Sequence, residues 1–153
     1  MMNKVYLAIG TNKGLNLKYN LDKSILLLSK YLKITKKSSQ IITKPLEMIS
    51  KHNFLNQVLE IETDLAPMVL LKVLQKIEYQ MGRTAKGQYQ DRVIDIDILS
   101  YEQVILRTNI LCIPHKKMHL RSFVLRPLQE ITPCYRHPLT KKTIDEMLEK
   151  INN

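Results

Sequence analysis

From Arg92 to Leu99 the chain alternates apolar and polar residues, sending Ile94, Ile96 and Ile98 to one face of a strand and Asp95 and Asp97 to the other. Earlier in the chain, Val5 to Ile9 is an apolar run too short for a helix and is ended by the turn cluster Gly10 to Gly14. Leu17, Leu21, Ile25, Leu28 and Leu32 then recur at helical spacing behind Asn16, a suitable N-cap. Ile34 to Ile42 reads as one lysine-flanked edge strand. Phe54 to Thr63 is a further strand, with Leu55, Leu59 and Ile61 on one side and Phe54, Asn56 and Val58 on the other. Pro67 opens a second helix striped by Leu70, Leu71, Leu74, Ile77 and Met81 and closed by Gly82. The order βαββαβ predicts an α+β fold with a ferredoxin-like core, an antiparallel sheet with helices packed on it.

Beyond Tyr101 the pattern thins into a C-terminal extension. Val104 to Leu106 and Ile110 to Ile113 are short strand candidates, and Arg121 to Gln129 is a helix expected to break near Pro127. Thr143 to Glu146 is a capping box that starts a last helix with Ile144, Met147, Leu148 and Ile151 on its apolar side. With 153 residues and no composition break, residues 1–153 are expected to form a single domain. No apolar run reaches the length of a membrane span, and the N-terminus leads straight into a strand, so a cytoplasmic protein with no membrane partner is expected. Cys112 and Cys134 have no metal-type spacing. A net charge of +10 suits nucleic acid, an anionic surface or a polyanionic small molecule, although many of the lysines fit solvated faces.

The chemistry lies in the Asp95 strand. Carboxylates two residues apart on one strand face sit about 6 to 7 Å from each other, which is unfavourable beside Val93 and Leu99 unless a cation lies between them. Arg or Lys could supply it, and so could Mg²⁺, which takes one or two carboxylates and completes its shell with water and phosphate oxygens. Asp is disfavoured in strands, and Arg83, Lys86 and Arg92 precede this one. Acids for metal beside bases for phosphate suit a nucleotide site. No phosphate-loop or dinucleotide-binding glycine motif is present. Phe54 and Asn56, two apart on one face, can offer a flat heterocycle a stacking surface and a paired donor and acceptor, or can be ordinary core. His52, with no acid or cysteine beside it, reads as an exposed loop histidine.

Taken in order, Gly10-Thr11-Asn12, Thr43-Lys44-Pro45-Leu46, Phe54-Leu55-Asn56, Glu78 with Gly82-Arg83, Arg92 to Leu99, Ile113-Pro114-His115 and Arg121 to Leu128 resemble the hydroxymethyl-dihydropterin pyrophosphokinases of folate biosynthesis, nearly end to end. That resemblance implies transfer of the terminal pyrophosphoryl group of ATP to the hydroxymethyl oxygen of 6-hydroxymethyl-7,8-dihydropterin, with release of AMP. It implies two Mg²⁺ ions held by Asp95 and Asp97. Arg83 and Arg92 would steady the transferring phosphates, with Lys86, Arg92, Ile98, His115 and Arg121 on ATP. Phe54 and Phe123 would sandwich the pterin, while Asn56 and the segment Thr43, Pro45 and Leu46 would read its polar edge. Other enzymes of the folate pathway are the implied protein partners.

The chain departs from the family pattern at several positions. Ala85 stands where a second loop arginine is usual, leaving Lys86 as its substitute without a bidentate fork. Asp91 replaces a proline before Arg92, Ile110 replaces a basic residue, and Thr11 replaces serine. These changes bear on nucleotide affinity more than on pterin binding, and they admit a descendant that binds pterin without efficient transfer. The competing RNA-reader reading needs an R-G-F-G-F-type aromatic motif, which is absent, and would set Asp95 and Asp97 against a phosphate backbone. No nucleic-acid partner is therefore expected.

Overall fold

The computed structural model describes residues 1–44, 52–83 and 92–152. It is a mixed α/β fold with an antiparallel sheet and four α-helices. Strand β1 (Asn3–Thr11) lies in the middle of the sheet. It pairs on one side with β4 (Phe54–Thr63) from Asn3↔Thr63 to Thr11↔Leu55, and on the other with β5 (Asp95–Tyr101) from Val5↔Tyr101 to Gly10↔Asp95. The outer side of β4 carries both β2 (Lys33–Lys37) and β3 (Ile41–Thr43).

The stretch expected as one edge strand is thus two. Ser38 separates them because its hydroxyl accepts from Val58 N at 2.9 Å and its carbonyl takes the Gln57 side-chain amide at 2.7 Å, while Ser39 N donates to Glu130. Side-chain bonds of this kind replace regular ladder bonds.

Helix α1 (Leu17–Ser29) begins where Asn16 accepts from Tyr19 N at 3.0 Å, and α2 (Pro67–Gln80) ends before Gly82, whose φ of +96° is the left-handed stop that glycine adopts without strain. Both helices cover one sheet face. Leu21, Leu28, Leu70, Leu74 and Ile77 pack there on Val5, Leu7, Ile9, Leu59, Ile61, Ile94, Ile96 and Ile98. The isoleucine face of the Asp95 strand is therefore core, although the strand itself begins at Asp95 and not at Arg92.

The C-terminal third builds a second core on the opposite face. A short hairpin, β6 (Leu106–Arg107) and β7 (Cys112–Ile113), leads through a 3₁₀ turn at Met118–Leu120 into α3 (Ser122–Ile131) and later α4 (Ile144–Asn152). Helix α3 runs through Pro127 without the expected break. Proline removes only the bond to the carbonyl of Phe123, in the first turn, and Val124, Leu125, Leu128 and Ile131 anchor the helix to Tyr6, Val58 and Leu99. Leu99 shares this face with Asp95 and Asp97 by simple alternation; the extra residue of β5, where Leu7 pairs with Ile98 and Tyr6 with Ser100, turns Tyr101 onto the opposite face. Thr143 and Glu146 form the anticipated reciprocal cap of α4, at 3.1 and 3.2 Å.

Within this core Tyr6 donates to the buried Glu60 at 2.9 Å, and Thr35 bonds the same carboxylate at 2.8 Å. Burial pushes the Tyr6 hydroxyl up to about 12; the Glu60 carboxylate adds to the rise and a bond with Thr132 opposes it. Cys112 and Cys134 are free thiols, and His52 is exposed, as expected. No helix among the described residues is long and apolar enough to cross a membrane.

Candidate active site

The site exists because α3 roofs only part of its sheet face. Along that face β1 presents Tyr6, then Ala8, then Gly10, so the side chains shrink to nothing as the strand leaves the cover of α3. Beside this taper β4 presents Phe54, Asn56 and Val58, and β5 presents Asp95 and Asp97. The result is a hollow lined by Ala8, Gly10, Thr43, Phe54, Asn56, Asp95 and Asp97, with Arg121 and Phe123 from the start of α3 forming its wall.

Asn56, nine-tenths buried, donates its side-chain amide to the Thr43 hydroxyl at 2.7 Å, which fixes the direction of its carbonyl oxygen. Gly10 lies directly beneath: a Cβ there would stand 2.7 Å from that oxygen and 3.7 Å from the Phe54 ring. Arg121 lies over the Phe123 ring, 5.7 Å from its centroid. His115 accepts the Lys117 backbone N–H on Nδ1 at 3.1 Å, so the neutral imidazole carries its proton on Nε2. The His115 backbone is tied to the sheet by a 2.9 Å bond to Leu99 O.

A second cavity adjoins the first along β5. It is bounded by Leu71, Ile98, Leu111, Lys116 and Lys117, with Ile110 at its exposed rim. Arg92, Asp95, Asp97, His115 and Arg121 line both cavities. Two compartments, one flanked by Phe54 and Phe123 and one that adds Arg83, Lys116 and Lys117 among apolar side chains, therefore meet at a shared wall carrying two carboxylates.

Arg83, which also lines the second cavity, is held there by buried partners. Its side chain is 4% exposed, and Nη1 is directed at Glu78 Oε2 (3.1 Å), Ile94 O (3.1 Å) and Asp95 Oδ1 (2.5 Å). Glu78 Oε2 also accepts Ile96 N at 2.7 Å. Arg83 thus braces the end of α2 against the start of β5 and holds Asp95 from below. Arg92 Nη1 takes the other oxygen of Asp95 at 3.3 Å. Asp95 is clasped by this chain's own arginines, while Asp97 lines both cavities.

The structure brings together Thr43, Phe54, Asn56, Arg92, Asp95, Asp97, His115, Arg121 and Phe123 in the first hollow, and adds Ile98 and Arg83 along the second. Pro45, Leu46, Lys86, Ala85 and Asp91 lie outside the described residues. Sequence reasoning gave no role to Glu78 or Asn12. The signal for Glu78 was legible: a carboxylate four residues after Leu74 and seven after Leu71, on the buried stripe of α2.

The carboxylates suit a hard divalent cation. Both project from one strand face into the same hollow, offer only oxygen donors, and leave the other coordination positions to water and phosphate.

Comparison with known proteins agrees with this geometry. The family model described as 7,8-dihydro-6-hydroxymethylpterin-pyrophosphokinase (HPPK) matches residues 6–133. The chain is 39% identical over 145 residues to the Aquifex aeolicus 2-amino-4-hydroxy-6-hydroxymethyldihydropteridine pyrophosphokinase, covering 95% of this chain and 90% of that one. It is 37% identical to the folic acid synthesis protein fol1 of Pneumocystis carinii, of which it spans 20%. A solved HPPK-DHPS in complex with substrates superposes with a TM-score of 0.79 at 19% identity, over 98% of this chain and 43% of that one, and so supports the fold alone. By the extent of the family match and by its identity to a relative of nearly equal length, the chain belongs to the 7,8-dihydro-6-hydroxymethylpterin-pyrophosphokinase family.

Proposed function

We propose that the protein transfers the β,γ-pyrophosphoryl group of ATP to the hydroxymethyl oxygen of 6-hydroxymethyl-7,8-dihydropterin, releasing AMP, as a step of folate biosynthesis. The observation that carries this reading is the wall shared by two unlike cavities. A reaction between two bound substrates needs such a boundary, because its rate comes from holding the acceptor oxygen in line with the phosphorus it attacks. The hydroxymethyl oxygen forms a bond to the β-phosphorus, the bond from that phosphorus to the α,β-bridging oxygen breaks, AMP leaves with that oxygen, and the hydroxyl proton passes to solvent.

Each part of the site has a task in this scheme. Phe54 and Phe123 hold the pterin ring between them; Asn56, fixed by Thr43, pairs with its polar edge, together with Pro45 and Leu46. ATP lies along the second cavity, with its phosphates toward Arg92, Arg121 and the Nε2–H of His115, its base toward Ile98, and Lys86 as a further cation. Asp95 and Asp97 would hold two Mg²⁺ ions, which supply charge neutralisation on the phosphate oxygens. The 3.3 Å contact with Asp95 keeps the Arg92 guanidinium at the wall that the phosphates would approach. Arg83, buried against Glu78, keeps Asp95 in place.

The sheet order β2-β4-β1-β5, with β3 beside β2 on the outer side of β4, supports a ferredoxin-like βαββαβ core with a C-terminal extension, in one domain over residues 1–153. We expect the enzyme in the cytoplasm, near its ATP, and other folate enzymes among its partners.

Mixing the protein with ATP, Mg²⁺ and the reduced pterin alcohol tests the reading. AMP is expected; ADP, or no nucleotide product, refutes the activity, and tight pterin binding without AMP marks a binding-only descendant. Asp97→Ala and Asp95→Ala should each lower turnover by about 10²-fold or more with the melting transition retained. Unchanged turnover in either refutes the metal assignment.

A further inference from the structure

We infer that Asn12 is a positioning residue for the reaction, acting through Arg92. The inference rests on the proposed contact between Arg92 and the transferring phosphates. From Leu7↔Ile98 to Gly10↔Asp95 strands β1 and β5 pair in constant register. Beyond that point the two chains fall out of step. One residue, Thr11, separates Gly10 from Asn12, while two, Val93 and Ile94, separate Asp95 from Arg92, so the regular ladder does not continue.

The Asn12 side chain supplies an acceptor there. Its Oδ1 receives Arg92 N at 2.7 Å, while its own backbone N–H donates to Arg92 O at 3.0 Å. The Thr11 hydroxyl donates to the same carbonyl at 3.4 Å, and Asn20 from α1 steadies this corner through Thr11 Oγ1 (3.2 Å) and Lys13 O (2.8 Å). Both backbone groups of Arg92 are thereby pinned by one residue, which is itself 3% exposed.

Fixing the peptide units on both sides of the Arg92 Cα fixes the origin of its side chain. From that origin the guanidinium reaches Asp95 Oδ2 and the wall common to the two cavities. Asn12 lines neither cavity. Its effect on the reaction therefore passes through the placement of Arg92, and an error of about 1 Å in a group that steadies charge costs on the order of 10²-fold in rate.

A double-mutant cycle tests this, with turnover at saturating ATP and pterin, and pterin Kd, as paired readouts. Asn12→Ala alone is expected to lower kcat roughly 10- to 100-fold and to leave the pterin Kd within about twofold. In the Arg92→Ala background the same substitution is expected to have no further effect on kcat. Multiplying losses in the double variant, an unchanged kcat in Asn12→Ala, or an equal loss of pterin binding each overturn the inference. Should Asn12→Ala not fold, Asn12→Asp keeps an acceptor oxygen for the Arg92 N–H and is carried through the same cycle. It is expected to hold kcat well above the Arg92→Ala level, and a loss that persists without the Arg92 side chain refutes the mechanism. Failure of the parent reading looks different: Arg92→Ala alone would then leave turnover intact, or the unaltered protein would release no AMP.

Discussion

Replacing Gly10 by alanine separates binding from stability. The added methyl would stand 2.7 Å from Asn56 Oδ1, closer than carbon and oxygen tolerate, and 3.7 Å from the Phe54 ring, an ordinary contact. Asn56 must yield, because Gly10 sits in the middle of the sheet with its backbone paired on both sides. Moving the amide strains its 2.7 Å bond to Thr43 and turns it away from the pterin edge that it is proposed to meet. One or two misdirected hydrogen bonds, at about 0.5 to 1.5 kcal/mol each, give a loss of about 0.5 to 3 kcal/mol in pterin binding, or roughly 2- to 150-fold in Kd. Stability should change little, since the crowding is offset by the gain of about 0.5 to 1 kcal/mol when alanine replaces glycine inside a strand. Pterin titration followed by the ligand's fluorescence, beside titration with a non-hydrolysable ATP analogue and a thermal melt, reads all three quantities. The ATP analogue should bind within about twofold of the unaltered protein, because Gly10 lines only the first hollow. A pterin Kd that does not move in a folded variant would refute the assignment of Asn56 to the pterin edge. A parallel fall in ATP affinity would show that the two cavities are not separate compartments.

Two further outcomes follow from buried polar groups. Glu78→Ala removes a buried partner from Arg83 and from Ile96 N, while Asp95 still holds Arg83; the cost is about 3 kcal/mol, read as a drop of about 6 to 12 °C in Tm, and a Tm within 2 °C would contradict the brace. Burial, with the charge of His119 as a lesser cause, pushes the His137 pKa down, and His137 Nδ1 accepts Leu139 N and Thr140 N at 3.3 and 3.2 Å. A histidine whose folded pKa lies below its unfolded value binds fewer protons when folded, so its contribution is present above pH 6.5 and is lost as pH falls below it. Urea melts between pH 7.5 and 5 should show that decline, and His137→Gln should flatten it; an identical slope in the variant would place the sensitivity elsewhere.

What could be read from the sequence follows from how local each signal is. The alternation at Asp95 and Asp97 gave the strand, its core face and its acidic face, because a two-residue period in side-chain direction needs no tertiary knowledge. The caps at Asn16, Gly82 and Thr143 were equally local. What escaped depends on partners far along the chain. Nothing in Ser38-Ser39-Gln40 announces that Glu130 and Gln57 will take its bonds and split a strand. Pro127 was expected to interrupt α3, but the sheet beneath that helix outweighs one missing bond. Arg83 is expected on the transferring phosphates, and it does line the second cavity, but that Glu78 grips it there depends on a carboxylate whose direction the sequence alone does not give. The taper Tyr6, Ala8, Gly10 was present in plain letters. It acquires meaning only once a helix covers one end of it.

The roof of the hollow has a consequence for when the protein first works. Arg121 and Phe123 come from the final third of the chain, whereas the floor is laid down by residues before position 98. A nascent polypeptide that has emerged only as far as the hairpin at residues 106–113 would own its acids and its Asn56 yet grip no ring, so competence arrives late in synthesis and all at once. The same dependence ties α4 to the hollow: it packs on α3, whose first turn carries Phe123.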